Sequence, residues 1–214
     1  LRMQNEKLVS DITGVILAGG SSKRMGVNKS LLKIDDLTLI EKVNEIMTQV
    51  FDKVIISTNE PASYEFIKTE KVTDVIKGFG PLSGIHSSLQ YVGTKKIFIV
   101  SADMPFLIPP MLKYLIDIQT KESIVLPKAE FCIQYLCGIY SKDILPLAER
   151  ILMDNQEAAA NNKNIKKSAV SLWNFAERVG AEIVDVKDKV FYMKDVFFSV
   201  NTPEDWEYAK ERII

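Results

Sequence analysis

The chain has 214 residues, 47% of them apolar or aromatic, so it can bury one sizeable core and we expect a single domain. Its 27 Lys and Arg residues nearly balance its 28 Asp and Glu residues, and a net charge of -1 argues against a nucleic-acid coat or a membrane-surface protein. Residues 1–13 mix charge and amide groups, and no apolar run approaches the roughly 20 residues that span a bilayer, so we expect a cytoplasmic protein.

Strands and helices are predicted to alternate along the chain. We expect residues 1–13 to form a loosely attached tail and residues 14–214 to form the domain. Near-continuous apolar runs predict buried strands, and apolar residues at helical spacing predict helices. The predicted strands are 14–18, 53–57, 96–101, 123–126, 131–140, 181–186 and 196–200. The predicted helices are 39–50, two that begin at Pro81 and Pro109, 144–153, 168–179 and one capped by Thr202.

This alternation predicts a three-layer α/β domain with a mainly parallel sheet. Residues 155–167 are rich in amides, lysines and alanines without an apolar face, so they predict an exposed loop. Cys132 and Cys137 are separated by an odd number of positions on a predicted strand, so their side chains should point to opposite faces, which favours two free thiols. The single histidine, His86, is expected on a helix surface without a role.

The first predicted strand leads directly into the sequence GGSSKRMGVNKS, which predicts a binding loop for a polyphosphate. Gly19 and Gly20 let backbone N–H groups approach phosphate oxygens, and Lys23, Arg24 and Lys29 can neutralise their charge. A Walker A loop is excluded because Val27 and Asn28 separate Gly26 from Lys29, and the adjacent glycines do not match G-x-G-x-x-G. A glycine turn with solvated cations remains the alternative.

Two polar residues follow predicted strands at the same sheet edge. Asp103 comes directly after the apolar strand 96–101, and a hard carboxylate beside phosphate oxygens is a typical Mg²⁺ arrangement. Asn201 precedes the last helix, and its amide oxygen could complete the Mg²⁺ shell or hold a substrate phosphate. A helix-cap or turn role is the alternative for Asp103, and a turn role is the alternative for Asn201.

Asp74 could bind the base of a nucleotide, because a carboxylate matches the N1–H and N2–H₂ donors of guanine. Asn59, just past the strand 53–57, is a weaker candidate for the same site. A surface turn is the alternative for Asp74.

Four sequence blocks resemble the molybdenum cofactor guanylyltransferase family, whose members have a single Rossmann-like nucleotidyltransferase domain. They are LAGGSSKRMGVNK (17–29), GPLSG (80–84), VSADMP (100–105) and VNTPED (200–205). The resemblance implies a mixed, mainly parallel sheet and a nucleotide site that contains Leu17, Ala18, Gly19, Gly20, Lys29, Asn59, Asp74 and Asp103. It implies catalytic roles for Arg24, Lys29 and Asp103, and Mg²⁺ held by Asp103 and Asn201.

The activity implied by this resemblance is transfer of GMP from GTP to molybdopterin, or to its molybdenum form, with release of pyrophosphate. Proteins of molybdenum cofactor biosynthesis and acceptor apoenzymes are then implied as partners. A cytidylyltransferase acting on molybdopterin and a sugar-1-phosphate nucleotidyltransferase share the same chemistry and remain alternatives. A nucleotide-binding regulator without turnover is an alternative of another class.

Overall fold

The computed structural model of the chain describes residues 8–19, 28–34, 36–161, 168 and 170–212. The strands in these residues are β1 (Ile12–Leu17), β2 (Lys33–Ile34), β3 (Leu37–Thr38), β4 (Val54–Ser57), β5 (Glu70–Val72), β6 (Lys96–Ser101), β7 (Ile124–Ala129), β8 (Cys132–Ile133), β9 (Cys137–Ser141) and β10 (Glu182–Asp185). The α-helices are α1 (Leu39–Thr48), α2 (Pro81–Tyr91), α3 (Pro109–Ile116), α4 (Leu145–Ala160), α5 (Leu172–Val179) and α6 (Pro203–Arg212). Short 3-10 helices cover Lys29–Leu31, Pro61–Tyr64 and Lys142–Ile144.

The main sheet has the strand order β10-β7-β9-β6-β1-β4-β5, with β8 paired to β7. β1 pairs in parallel with both β4 and β6, and the parallel pairs β4–β5 and β7–β10 extend the sheet on either side. β9 alone among the strands of this order runs antiparallel to its neighbours β6 and β7 within the described part of the chain. The predicted mixed and mainly parallel sheet is therefore confirmed.

Two apolar cores cover the two faces of this sheet, as three layers require. One core packs apolar residues of α1 and α3 against the sheet, and the other packs α2, α4 and α5 against the opposite face. Helix α1 begins where its sequence predicts, because Thr38 and Glu41 form a capping box in which each side chain bonds the other's backbone N–H. Because β1 pairs in parallel with β4 and β6, the carboxyl ends of these three strands lie together at one edge of the sheet.

The predicted strand 131–140 is divided in the structure. β8 and β9 are separated by residues 134–136, where the backbone N–H of Gln134 donates to the Pro127 carbonyl at 2.9 Å. The Cys137 N–H then donates to the Gln134 carbonyl at 3.2 Å and closes a turn. β8 and β9 both pair antiparallel with β7, so the chain keeps its direction across this turn, and the mostly apolar run 131–140 gives no signal for such an interruption.

Two other elements also differ from their predictions. The exposed loop predicted over 155–167 is wrong for residues 155–160, which continue α4 through alanine and glutamate residues of high helix propensity. Asn155 is buried there and donates to the Ile151 carbonyl at 2.8 Å, while residues 162–167 lie outside the described residues. The strand predicted at 196–200 is also wrong, since the N–H groups of Val196 and Phe198 bond within turns, to the carbonyls of Met193 and Asp195.

At the amino terminus β1 begins at Ile12, two residues before the expected start of the domain, and Val9 forms a parallel bridge with Phe51. The surface position predicted for His86 is wrong: α2 is covered by the sheet on one side and α4 on the other, and His86 is 0% exposed. Cys132 and Cys137 are both free thiols, as predicted. Within the described ranges no helix has the length and apolar character needed to cross a membrane.

Candidate active site

A cleft of about 630 Å³ opens at the carboxyl ends of the parallel strands β1, β4 and β6. The register aligns Leu17 with Ser57 on one side and with Ser101 on the other, so three strands end together. The lining residues are Leu17, Ala18, Gly19, Asn28, Ser57, Thr58, Asn59, Glu60, Asp74, Gly78, Gly80, Pro81, Gly84, Ser101 and Leu136. Strand ends of an open α/β sheet are the usual ligand site, so the fold places this cleft where the sequence predicts one.

One end of the cleft holds a paired amide and carboxylate. The Asn59 side-chain Nδ2 donates to Asp74 Oδ2 at 2.6 Å, and the Asp74 backbone N–H donates to Asn59 Oδ1 at 3.2 Å. Burial raises the pKa of the Asp74 carboxyl, although the bond from Asn59 and the charges of Lys77 and His86 act in the opposite direction. The pair fixes one carboxylate oxygen and orients the other.

The GPLSG block brings helix α2 against the cleft floor. Gly80 has φ +68°, a conformation that favours glycine, and Pro81 then begins the helix. A Cβ at residue 84 would lie 2.8 Å from Ser57 Oγ and 3.7 Å from Asp74 Oδ1. The backbone of α2 can therefore pack this closely against Ser57 at the end of β4 only because residue 84 has no side chain.

The charged residues predicted for phosphate and metal lie together nearby. Lys29 Nζ donates to Asn201 Oδ1 at 2.8 Å, and the backbone N–H of Val200 donates to the Asp103 carbonyl at 3.0 Å. Ser101 Oγ donates to Asp103 Oδ1 at 2.6 Å. These contacts join residues from three distant parts of the sequence into one cluster.

Asp103 is half-buried at the end of β6. Burial raises its pKa, whereas the hydrogen bond from Ser101 and the positive charge of Lys29 lower it. A half-buried carboxylate whose charge is only partly compensated favours the approach of a cation. A group of three or more His, Cys, Asp or Glu side chains that could hold a metal is absent from the described residues, so any ion here would take most of its ligands from elsewhere.

The structure therefore brings most of the predicted site residues to one sheet edge, in two groups. Leu17, Ala18, Gly19, Asn59 and Asp74 line the cleft, and Lys29, Asp103 and Asn201 form the adjacent charged cluster. Gly20 and Arg24 lie outside the described residues. Asn201 Oδ1 accepts from Lys29, so its predicted place in a metal shell competes with this bond and stays a prediction.

Sequence reasoning missed Leu136, which reaches the cleft from the turn between β8 and β9. It also missed Asn28, Thr58 and Ser101 as lining residues. Thr58 and Ser101 stand at predicted strand ends, and that position is a signal that could have identified them. Leu136 offered no such signal, because its segment is predicted to be a strand.

Residues 14–168 match the MobA-like NTP transferase domain family. The "probable molybdenum cofactor guanylyltransferase" of Clostridium perfringens (ATCC 13124) is 32% identical over 198 residues, 91% of this chain and 94% of its own. The molybdenum cofactor guanylyltransferase of Desulfosudis oleivorans is 31% identical over 206 residues, 94% of this chain and 96% of its own.

The fold is also that of a solved structure, molybdopterin-guanine dinucleotide biosynthesis protein A from Archaeoglobus fulgidus. The two superpose with a TM-score of 0.72 at 23% identity, over 94% of this chain and 97% of that one.

Proposed function

The chain belongs to the MobA-like NTP transferase family, and from this premise we propose that it transfers GMP from GTP to molybdopterin, in its molybdenum form, and releases pyrophosphate. One observation carries the proposal beyond the family name. A cleft of about 630 Å³ with an oriented carboxylate, Asp74, lies at the same sheet edge as the charged cluster of Lys29 and Asp103. The names of the similar proteins supply the substrates.

Asp74 and Asn59 would bind the guanine base. Asn59 donates to Asp74 Oδ2, which leaves Oδ1 to accept from the N1–H and N2–H₂ donors of guanine. The backbone of Leu17, Ala18 and Gly19 would lie along the nucleotide at the end of β1. Guanine is favoured because a carboxylate accepts from two adjacent donors, whereas cytosine presents a single amino donor.

In the transfer, a phosphate oxygen of molybdopterin forms a bond to the α-phosphorus of GTP. The bond from that phosphorus to the α–β bridging oxygen breaks, and pyrophosphate leaves with the electron pair. A phosphate monoester has a second pKa of about 6, so the attacking oxygen is largely ionised at neutral pH and needs no general base. Alignment and charge neutralisation by Lys29, with Arg24 in the predicted phosphate loop, then carry the catalysis.

Mg²⁺ is part of this proposal. The Asp103 carboxylate fits it, because Mg²⁺ commonly takes one or two protein carboxylates and fills its other positions with water and substrate phosphates. When bound, the ion would neutralise charge on the phosphates. Asn201 would bind the ion only if its Oδ1 no longer accepted the hydrogen bond from Lys29.

We also propose a cytoplasmic location and delivery of the product to other cofactor-biosynthesis proteins and to acceptor apoenzymes.

Nucleotide selectivity tests the proposal directly. With Mg²⁺ present, GTP at about 100 times its Kd should stabilise the protein by roughly 2.7 kcal/mol, a rise in Tm of roughly 5–10 °C for a chain of this size. CTP, ATP and UTP should give much smaller rises. Pyrophosphate release should then require both GTP and molybdopterin. Selective stabilisation by CTP, or turnover with a sugar 1-phosphate instead of molybdopterin, would refute the substrate assignment.

A further inference from the structure

The hydroxyl group of Tyr64 connects two separate parts of the nucleotide site. Tyr64 is the last residue of the 3-10 helix Pro61–Tyr64, and only 1% of it is exposed. Its oxygen lies 3.2 Å from the Ala18 carbonyl oxygen, 2.9 Å from Asn28 Nδ2 and 2.9 Å from Ser30 Oγ. Ala18 and Asn28 stand at the beginning and end of the glycine-rich sequence that follows β1.

The protons in this network have a consistent assignment. Asn28 Nδ2 donates to the Tyr64 oxygen, and Ser30 Oγ donates to Asn28 Oδ1 at 2.8 Å. The single hydroxyl proton of Tyr64 is then donated to the Ala18 carbonyl, so the 2.9 Å contact between the Tyr64 and Ser30 oxygens carries no proton of its own. Every member of the network is thus bonded, and a buried network of this kind holds its members in one arrangement.

Both ends of this network carry groups of the candidate active site. Ala18 lines the cleft, and its N–H donates to the Ser57 carbonyl at 2.9 Å. Lys29 lies between Asn28 and Ser30 in a 3-10 helix whose Asn28 cap is the residue bonded to Tyr64. The position of the Lys29 ammonium group therefore depends on a turn that Tyr64 holds against β1.

We propose that Tyr64 is a positioning residue that sets the distance between the Ala18 backbone and Lys29, so that both contact one polyphosphate. This role rests on the proposed nucleotidyl transfer, but the contacts that carry it belong to the free protein. Without the hydroxyl, Asn28 loses the acceptor of its Nδ2 group, the Ala18 carbonyl loses its donor, and Lys29 samples more positions. A displacement of about 1 Å in a group that aligns reactants reduces rates by up to roughly 100-fold.

The first measurement is hydrogen exchange in the free Tyr64→Phe variant, which keeps the ring and removes one oxygen. The backbone N–H groups of Leu31 and Leu32 donate to Asn28 and Lys29 and report on this turn. We expect their exchange to accelerate by roughly 10-fold. Tyr91→Phe is the matched control, because the Tyr91 hydroxyl donates to Glu70 at the carboxyl end of α2, whereas the amino end of α2 lines the cleft. Unchanged exchange at residues 31 and 32 would overturn the proposal.

The second measurement is a double-mutant cycle on transfer activity. Tyr64→Phe should lower kcat/KM for GTP by roughly 10- to 100-fold. If it acts through Lys29, it should have almost no further effect in the Lys29→Ala background, whereas a general loss of stability would lower activity by the same factor in both backgrounds. Equal factors would refute the positioning role. If wild type transfers no nucleotide while exchange accelerates in the variant, the proposed function fails, but the finding that the Tyr64 hydroxyl holds this turn remains.

Discussion

The charge of Asp74 should decide which base this site accepts, and replacing it with asparagine tests this with little change of shape. Asp74→Asn keeps a side-chain oxygen for Asn59 to donate to, and it keeps the backbone N–H that donates to Asn59 at 3.2 Å. What it removes is a charged acceptor in the lining of the cleft. The amide nitrogen can also face the guanine N–H donors, which leaves donors opposed.

The structure sets the expected size of this effect. Hydrogen bonds to a charged group contribute about 1.5–3 kcal/mol, so Asp74→Asn should weaken GTP binding by roughly 10- to 150-fold. Titration calorimetry with GTP, CTP and ATP in the presence of Mg²⁺ measures this loss and shows whether the gap between the nucleotides narrows. Binding should retain its Mg²⁺ dependence, because Asp74 lies apart from the Asp103 cluster.

The wild-type protein should also show a matching pH dependence. Burial raises the pKa of the Asp74 carboxyl, and the ionised form is the one that accepts from guanine. GTP affinity should therefore fall as the pH drops through this pKa, at a pH above the range of a free aspartate, and Asp74→Asn should lack the step. Asp52→Asn, an exposed aspartate next to β4 at the opposite edge of the sheet, is the control. Full GTP preference in Asp74→Asn would show that the base is read elsewhere.

Four further predictions follow from the site and its supports. Asp103→Ala should abolish Mg²⁺-dependent pyrophosphate release while circular dichroism shows an intact fold; normal turnover would remove the metal assignment. Lys29→Ala should lower kcat by about 100-fold or more relative to Lys121→Ala, an exposed control, through lost charge stabilisation. Gly84→Ala should weaken GTP binding in calorimetry, since its Cβ would lie 2.8 Å from Ser57 Oγ and near Asp74; unchanged affinity would contradict the close approach. Burial lowers the pKa of His86 although the charges of Glu149 and Asp74 raise it, so the unfolded chain binds the proton at a higher pH than the folded chain does. As the pH drops below about 6.5, Tm should therefore fall, and it should fall less steeply in His86→Leu.

Much of the fold was predictable because the relevant signals are local. Buried parallel strands such as β6 are continuous apolar runs, and Thr38 and Glu41 mark the start of α1 by their spacing alone. The failures occurred where distant contacts decide. The turn at residues 134–136 depends on a bond to Pro127, and the burial of His86 depends on α4, which follows more than fifty residues later.

The candidate site shows the same division. Lys29, Asp74 and Asp103 could be selected because their chemical types stand next to glycines or strand ends. Two contacts could not be predicted: the bond from Lys29 to Asn201, and the link that Tyr64 makes between Ala18 and Asn28. They connect residues 36 to 172 positions apart, and the second depends on a buried side chain.

The reversed direction of β9 has a consequence for how this fold can change. Its neighbours β6 and β7 begin at the far edge of the sheet, but β9 begins at the edge where the cleft opens, and Leu136 enters the cleft from the residues just before it. Insertions or substitutions in that turn would reshape one wall of the cleft while the parallel strands under the phosphates stay paired. We therefore expect relatives that accept differently shaped substrates to differ most in this turn, and a graft of it to change which substrates fit the cleft without refolding the sheet.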